Sequence, residues 1–93
     1  MEKLNPDLVL ERIKEVKGWF VEGNSIKKTF KTKGWPASVG LVSTIGTICQ
    51  QFDHHPDYLL MKYAEIEVSF STHTAGGITQ KDIEIAIEIN KYA

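Results

Sequence analysis

The stretch Ala64-Glu65-Ile66-Glu67-Val68-Ser69-Phe70-Ser71 alternates apolar and polar side chains with period two, the pattern of a β-strand with one buried face and one wet face. Such a strand needs an apolar layer over one side only, and three other segments can supply it. Asn5 and Pro6 read as an N-cap with proline at the first helical position. Val9, Ile13 and Val16 then recur at helical spacing until Gly18, which predicts a helix over about 6–16. Pro36 can start a second helix, over about 36–52, in which Leu41, Ile45, Ile48 and Phe52 form an apolar stripe widened by Val42 and Cys49. Thr79 and Asp82 have the Thr-x-x-Asp form of a capping box, followed by Ile83, Ala86, Ile87 and Asn90, which predicts a helix over 79–91.

The remaining segments supply partner strands. Trp19-Phe20-Val21 and Ser25 to Thr32 flank Glu22-Gly23-Asn24, a tight-turn sequence, and Tyr58 to Tyr63 leads into the alternating strand. The order is α-β-β-α-β-β-α with no βαβα alternation. It predicts an α+β fold: a four-stranded antiparallel sheet with helices packed on one face. Ninety-three residues admit one domain, 1–93. A core this small gains from a partner subunit, and Gly40, Ser43, Gly46 and Thr47 on the second helix suit close packing across such an interface.

Composition removes several functions. Eleven basic against twelve acidic residues give a net charge of −1, with no basic excess to hold nucleic acid. Lys27, Lys28, Lys31 and Lys33 read as a solvated or edge-protecting face rather than a phosphate strip. No run approaches the ~20 apolar residues that a membrane-spanning helix needs. The lone Cys49 lies on the helical stripe as a small hydrophobe, and the first residues lack the apolar core of a signal peptide. A reducing, cytoplasmic setting is expected.

All three histidines, His54, His55 and His73, fall within one short region. A hairpin turning near Ala64 brings His55 level with His73, and a register shift of one or two residues makes His54 the neighbour instead. Pro56 holds His55 extended, while His54 is free to turn into the same pocket. Asp82 reaches that pocket across the Ala75-Gly76-Gly77 bend, where it can cap the third helix and orient a histidine. The histidine spacing matches neither HExxH nor the paired ligands of structural zinc sites, so no metal is expected. Imidazoles titrating near pH ~6.5 can give one proton and take another, which suits cofactor-free addition or elimination of water.

Asp53-His54-His55-Pro56, Tyr63, Thr72-His73 and Gly76-Gly77-Ile78-Thr79-x-x-Asp82 together resemble the pterin-4a-carbinolamine dehydratases. With Gly18-Trp19, Phe30 and the element order, the resemblance covers essentially the whole chain. It implies dehydration of 4a-hydroxytetrahydropterin, the product left by aromatic amino acid hydroxylases, to quinonoid dihydropterin and water. It implies that no metal or organic cofactor is needed. It further implies that His54 and His73 are the principal acid and base, His55 a positioning group or alternate acid, and Asp82 an orienter. Asp53, Pro56, Ser71, Thr72 and Thr74 become substrate contacts, and Trp19 is either a stacking platform or a core residue. The resemblance also implies dimers or tetramers built by joining edge strands and packing helices. Some relatives are dimerisation or assembly cofactors, which gives a non-catalytic alternative. One departure stands out: many members have an acid four residues before the first histidine, whereas this chain has Gln50, which can hydrogen-bond but cannot serve as a carboxylate base.

Overall fold

The computed structural model describes all 93 residues. Helix α1 spans Pro6–Ile13, strands β1 Phe20–Glu22 and β2 Ser25–Lys31, helix α2 Trp35–Phe52, strands β3 Tyr58–Lys62 and β4 Glu65–Phe70, and helix α3 Gln80–Asn90, with a short 3-10 turn at His73–Ala75. The expected α-β-β-α-β-β-α order and α+β class are present. Helix α1 begins as the sequence predicts, with the Asn5 side chain accepting from the Leu8 N–H at 2.9 Å. It ends at Ile13, three residues early. Val16 N–H bonds the Ile13 carbonyl and Trp19 N–H the Val16 carbonyl, so tighter i→i+3 turns carry the chain on and still bury Val16.

The sheet order is β1-β2-β4-β3, all antiparallel. Ile26 pairs with Phe70 and Phe30 with Ile66, and these four side chains share the face covered by the helices. Val21 on β1 and Leu59 on β3 extend that face to the edges. Against it pack Ile45 and Ile48 of α2 and Ile83, Ala86 and Ile89 of α3, all buried. Ser38 enters this apolar layer because its hydroxyl is satisfied, donating to the Tyr63 carbonyl at 2.9 Å and pairing with Thr32 Oγ1 at 2.7 Å. The other sheet face carries Lys27, Thr29, Tyr58 and Glu67.

Strand β2 lies between β1 and β4, but β1 covers only Ser25–Lys27, so Lys28 and Lys31 stand where β2 has no outer partner. Lys27 pairs with Glu22 at 2.7 Å and Lys31 with Glu65. Lys28 turns to the helix side, where its Nζ donates to the Lys17 carbonyl and to Asn90 Oδ1. On α2 the small residues Gly40, Ser43, Gly46 and Thr47 are all exposed. No helix is long and apolar enough to cross a membrane.

Candidate active site

The end of α2 delivers the first histidine pair. Asp53 takes the left-handed conformation (φ 50°, ψ 47°), and the His54 N–H returns to the Cys49 carbonyl at 3.0 Å, a hydrogen-bonded helix stop that reverses the chain. The His54 ring is thereby laid on Phe70, with centroids 5.8 Å apart and planes 26° from parallel. Its Nε2 meets Asp82 Oδ1 at 2.6 Å.

Asp82 is fully buried at the start of α3. Its Oδ2 accepts from the Thr79 N–H at 2.9 Å, completing the capping box read in the sequence, and from Thr72 Oγ1 at 2.9 Å. One carboxylate therefore starts a helix, ties the 72–79 loop to it and holds a histidine. The loop itself closes through a backbone bridge between Thr72 and Gly77. Gly76 turns it with φ 77°, and at Gly77 any Cβ would lie 2.6 Å from Lys3 Cδ.

The second histidine arrives by strand register. Lys62 pairs with Glu65 and Tyr58 with Ser69, centring the hairpin between Tyr63 and Ala64. Carried outward, this register sets His54 level with His73, half a residue from the expected turn centre and within the range allowed for it. His73 Nε2 lies 2.9 Å from Asp57 Oδ1. Asp57 also accepts from Ser71 Oγ at 2.6 Å and, through Oδ2, from Ser25 and Ser69 Oγ at 3.0 Å each. Burial pushes the Asp57 carboxyl up, but the hydrogen bonds from Ser71, His73, Ser25 and Ser69 outweigh it and hold the group below the usual carboxylate range.

Asp53, His54, His55, Ser71, Thr72, His73 and Thr74 line one cavity of about 220 Å³ with no apolar side chain in its wall. A second cavity, of about 490 Å³, shares Asp53, His54 and His55 and continues along Val42, Ile45, Cys49, Pro56 and Leu59, with Gln50 on its wall. A polar chamber thus opens beside a larger apolar one, the usual composition of a small-molecule site. His55 is exposed and donates from Nδ1 to its neighbour's Pro56 carbonyl at 3.1 Å. Burial pushes the Cys49 thiol up, away from nucleophile behaviour. No three His, Cys, Asp and Glu side chains are grouped to hold a metal ion.

Trp19 is elsewhere. It is 5% exposed, edge-on to Phe30 and tilted against Phe70 with centroids 6.1 Å away in each case, and its Nε1 donates to Asn90 Oδ1 at 3.0 Å. Of its two readings the structure gives the core one, because the i→i+3 turns after α1 point the indole inward under the sheet. Tyr63 is at the hairpin turn, 71% exposed, and lines neither cavity. Asp57, Ser25 and Ser69 were not anticipated. A signal existed for two of them: position 57, carried one step beyond the Tyr58–Ser69 pair, falls level with 70, between two serines of the strand's polar face.

The profile of the pterin 4 alpha carbinolamine dehydratase family matches residues 2–92. A Sulfolobus acidocaldarius protein provisionally named pterin-4-alpha-carbinolamine dehydratase is 44% identical over 89 residues, covering 96% of this chain and 97% of that protein. A similarly named Roseiflexus protein is 33% identical, covering 96% and 95%. Among solved structures, a transcriptional coactivator/pterin dehydratase from Brucella melitensis superposes with a TM-score of 0.90 at 27% identity, covering 97% of both chains. A pterin dehydratase-like protein described as a RuBisCO assembly factor of the alpha-carboxysome shares the fold alone, with a TM-score of 0.69 at 12% identity over 80% of this chain and 87% of that one. With the profile spanning nearly the whole chain, the protein belongs to the pterin-4-alpha-carbinolamine dehydratase family.

Proposed function

We propose that this protein dehydrates 4a-hydroxytetrahydropterin to quinonoid dihydropterin and water by histidine acid/base catalysis without a cofactor. The observation that carries this reading is that one polar cavity is lined by two histidines, each held by its own carboxylate: His54 by Asp82 and His73 by Asp57. The reaction needs two proton transfers. One group protonates the 4a-hydroxyl as the C4a–O bond breaks and water leaves. Another takes the N5 proton as its electron pair forms the C4a=N5 double bond. His54 and His73 fill these roles, with His55 at the cavity rim as a positioning group or alternate acid. Asp53, Ser71, Thr72 and Thr74 supply polar contacts to the pterin edge, and Pro56 borders the adjoining apolar chamber. The substrate reaches the protein from an aromatic amino acid hydroxylase in tetrahydrobiopterin recycling, within the cytoplasm.

Assembly into dimers or tetramers belongs to the same reading. The exposed small-residue face of α2 and the free edge of β3 are the surfaces offered for it.

The test follows the ultraviolet absorbance of freshly generated 4a-hydroxytetrahydropterin with wild type, His73→Ala and no protein. Acceleration by wild type and its collapse in the variant are expected. Gln50 favours the second reading, a non-catalytic assembly protein that keeps the fold, because it removes the acid that many family members have at that position. That reading predicts no acceleration by wild type.

A further inference from the structure

We infer that Asp57 is a positioning residue that holds the His73 imidazole through its Nε2–H and leaves Nδ1 as the nitrogen offered to the cavity. The inference rests on the reading of this cavity as a dehydratase site, and it adds a residue and a tautomer that the sequence pattern does not contain. Asp57 immediately follows the His54-His55-Pro56 run but receives its partners from elsewhere in the fold: Ser25 on β2, Ser69 on β4, and Ser71 and His73 beyond that strand. Three serine hydroxyls donate to the carboxylate, Ser71 to Oδ1 and Ser25 and Ser69 to Oδ2, and with His73 they hold it below the usual carboxylate range, so the group is ionised. An ionised carboxylate only accepts, so the facing His73 Nε2 must carry hydrogen. In the neutral ring, Nδ1 is then the lone-pair nitrogen.

The surroundings give that assignment a consequence. The His73 side chain is 73% exposed, and the Asp57 contact is its only side-chain hydrogen bond. Nδ1 has no protein partner, and the ring lines the polar cavity, so the free nitrogen is available to a substrate. His54 repeats the arrangement: its Nε2 faces Asp82, which leaves its Nδ1 unbonded. His55 is the opposite case, because its Nδ1 donates to the Pro56 carbonyl and its Nε2 is free. The two carboxylate-held histidines therefore present the same nitrogen, and His55 presents the other.

The first test reads the wild-type protein by long-range proton–nitrogen NMR at about pH 9, well above the ordinary imidazole range of about 6.5. The His73 signals are assigned by their loss in His73→Ala. A single Nε2–H form is expected; an Nδ1–H form, or a mixture, overturns the proposal. The second test is Asp57→Ala. Its expected effects are a fall in kcat of about 10- to 100-fold, KM within about twofold of wild type, and spread of the His73 proton onto Nδ1. Undiminished kcat, or a loss of kcat with His73 still wholly Nε2–H, overturns the positioning role. If Asp57→Ala fails to fold, the wild-type spectrum decides. Should wild type not accelerate dehydration, the proposed reaction falls while the tautomer measurement still judges this inference on its own terms.

Discussion

Asp82 carries three duties on one buried carboxylate, and two substitutions separate them. Asp82→Ala strips the acceptor from the Thr79 N–H, from Thr72 Oγ1 and from His54 Nε2 at once. Hydrogen bonds to a charged group contribute roughly 1.5–3 kcal/mol each, and losing an N-terminal cap costs about 1 kcal/mol on its own. These contributions overlap, so a loss of about 3–5 kcal/mol is expected, close to what breaking a buried charge network costs. At roughly 4–8 °C per kcal/mol for a domain of this size, the midpoint falls by at least about 12 °C. Asp82→Asn keeps the shape and an oxygen for the Thr79 N–H and Thr72, so it should cost only about 1–2 kcal/mol. Its amide nitrogen then faces His54 Nε2, which must become an acceptor. That shifts the His54 proton to Nδ1 and should lower turnover by about 100-fold or more, by analogy with asparagine in place of a histidine-orienting aspartate. Thermal and urea denaturation, with steady-state dehydration on the same preparations, are the assays. The reasoning is refuted if Asp82→Asn unfolds as readily as Asp82→Ala, or if it stays folded with wild-type turnover.

Three further outcomes are expected. His73→Ala removes a mostly exposed side chain, so its urea midpoint should match wild type while its turnover falls by about 100-fold or more. Asp57 has its carboxyl lowered in the folded protein, so its stabilisation is present above the unfolded value of about 3.9 and is lost as pH falls through the folded value. Asp57→Asn should therefore flatten the decline in stability below about pH 4, measured as the urea midpoint against pH. Trp19→Phe deletes the donor to Asn90 and part of the core, costing about 1–3 kcal/mol, yet should leave KM within about twofold; a large rise in KM would restore Trp19 to the pterin site.

How far the sequence could be read follows from how local each determinant is. The capping box at Thr79 and Asp82 spans four residues and was legible, as was the Asn5 cap. The hairpin centre was legible to half a residue because its two strands are contiguous and β4 alternates strictly. The carboxylate behind His73 was not. Its Ser25 donor lies 32 residues away on β2, and only the β1-β2-β4-β3 order sets that strand against β4. Nothing local specifies strand order. Trp19 was ambiguous for a related reason, since a tryptophan beside a strand stacks or packs depending on a helix far along the chain, here through Asn90 of α3, 71 residues away.

The alternation that defines the core also separates the two histidines. At the end of β4, Phe70 faces the helices and bears the His54 ring, and Thr72, two residues on, faces the same way and bonds Asp82. Ser69 and Ser71 point to the opposite face, where they hold Asp57 and through it His73. Consecutive residues at the end of β4 and just beyond it thus assign the two carboxylates to opposite sides of the sheet's end, and both imidazoles reach the cavity between them. In the proposed dehydration one proton must arrive at the 4a oxygen while another leaves N5, and a single imidazole on one side would have to do both in turn. Two imidazoles held from opposite faces can act on the two atoms together. A one-residue slip of β4 would exchange the faces, burying the serines against the helices and turning Phe70 and Thr72 toward Asp57. The register that buries Ile66, Val68 and Phe70 is therefore the one that places both carboxylates, and a core substitution that loosens β4 should cost turnover before it costs fold.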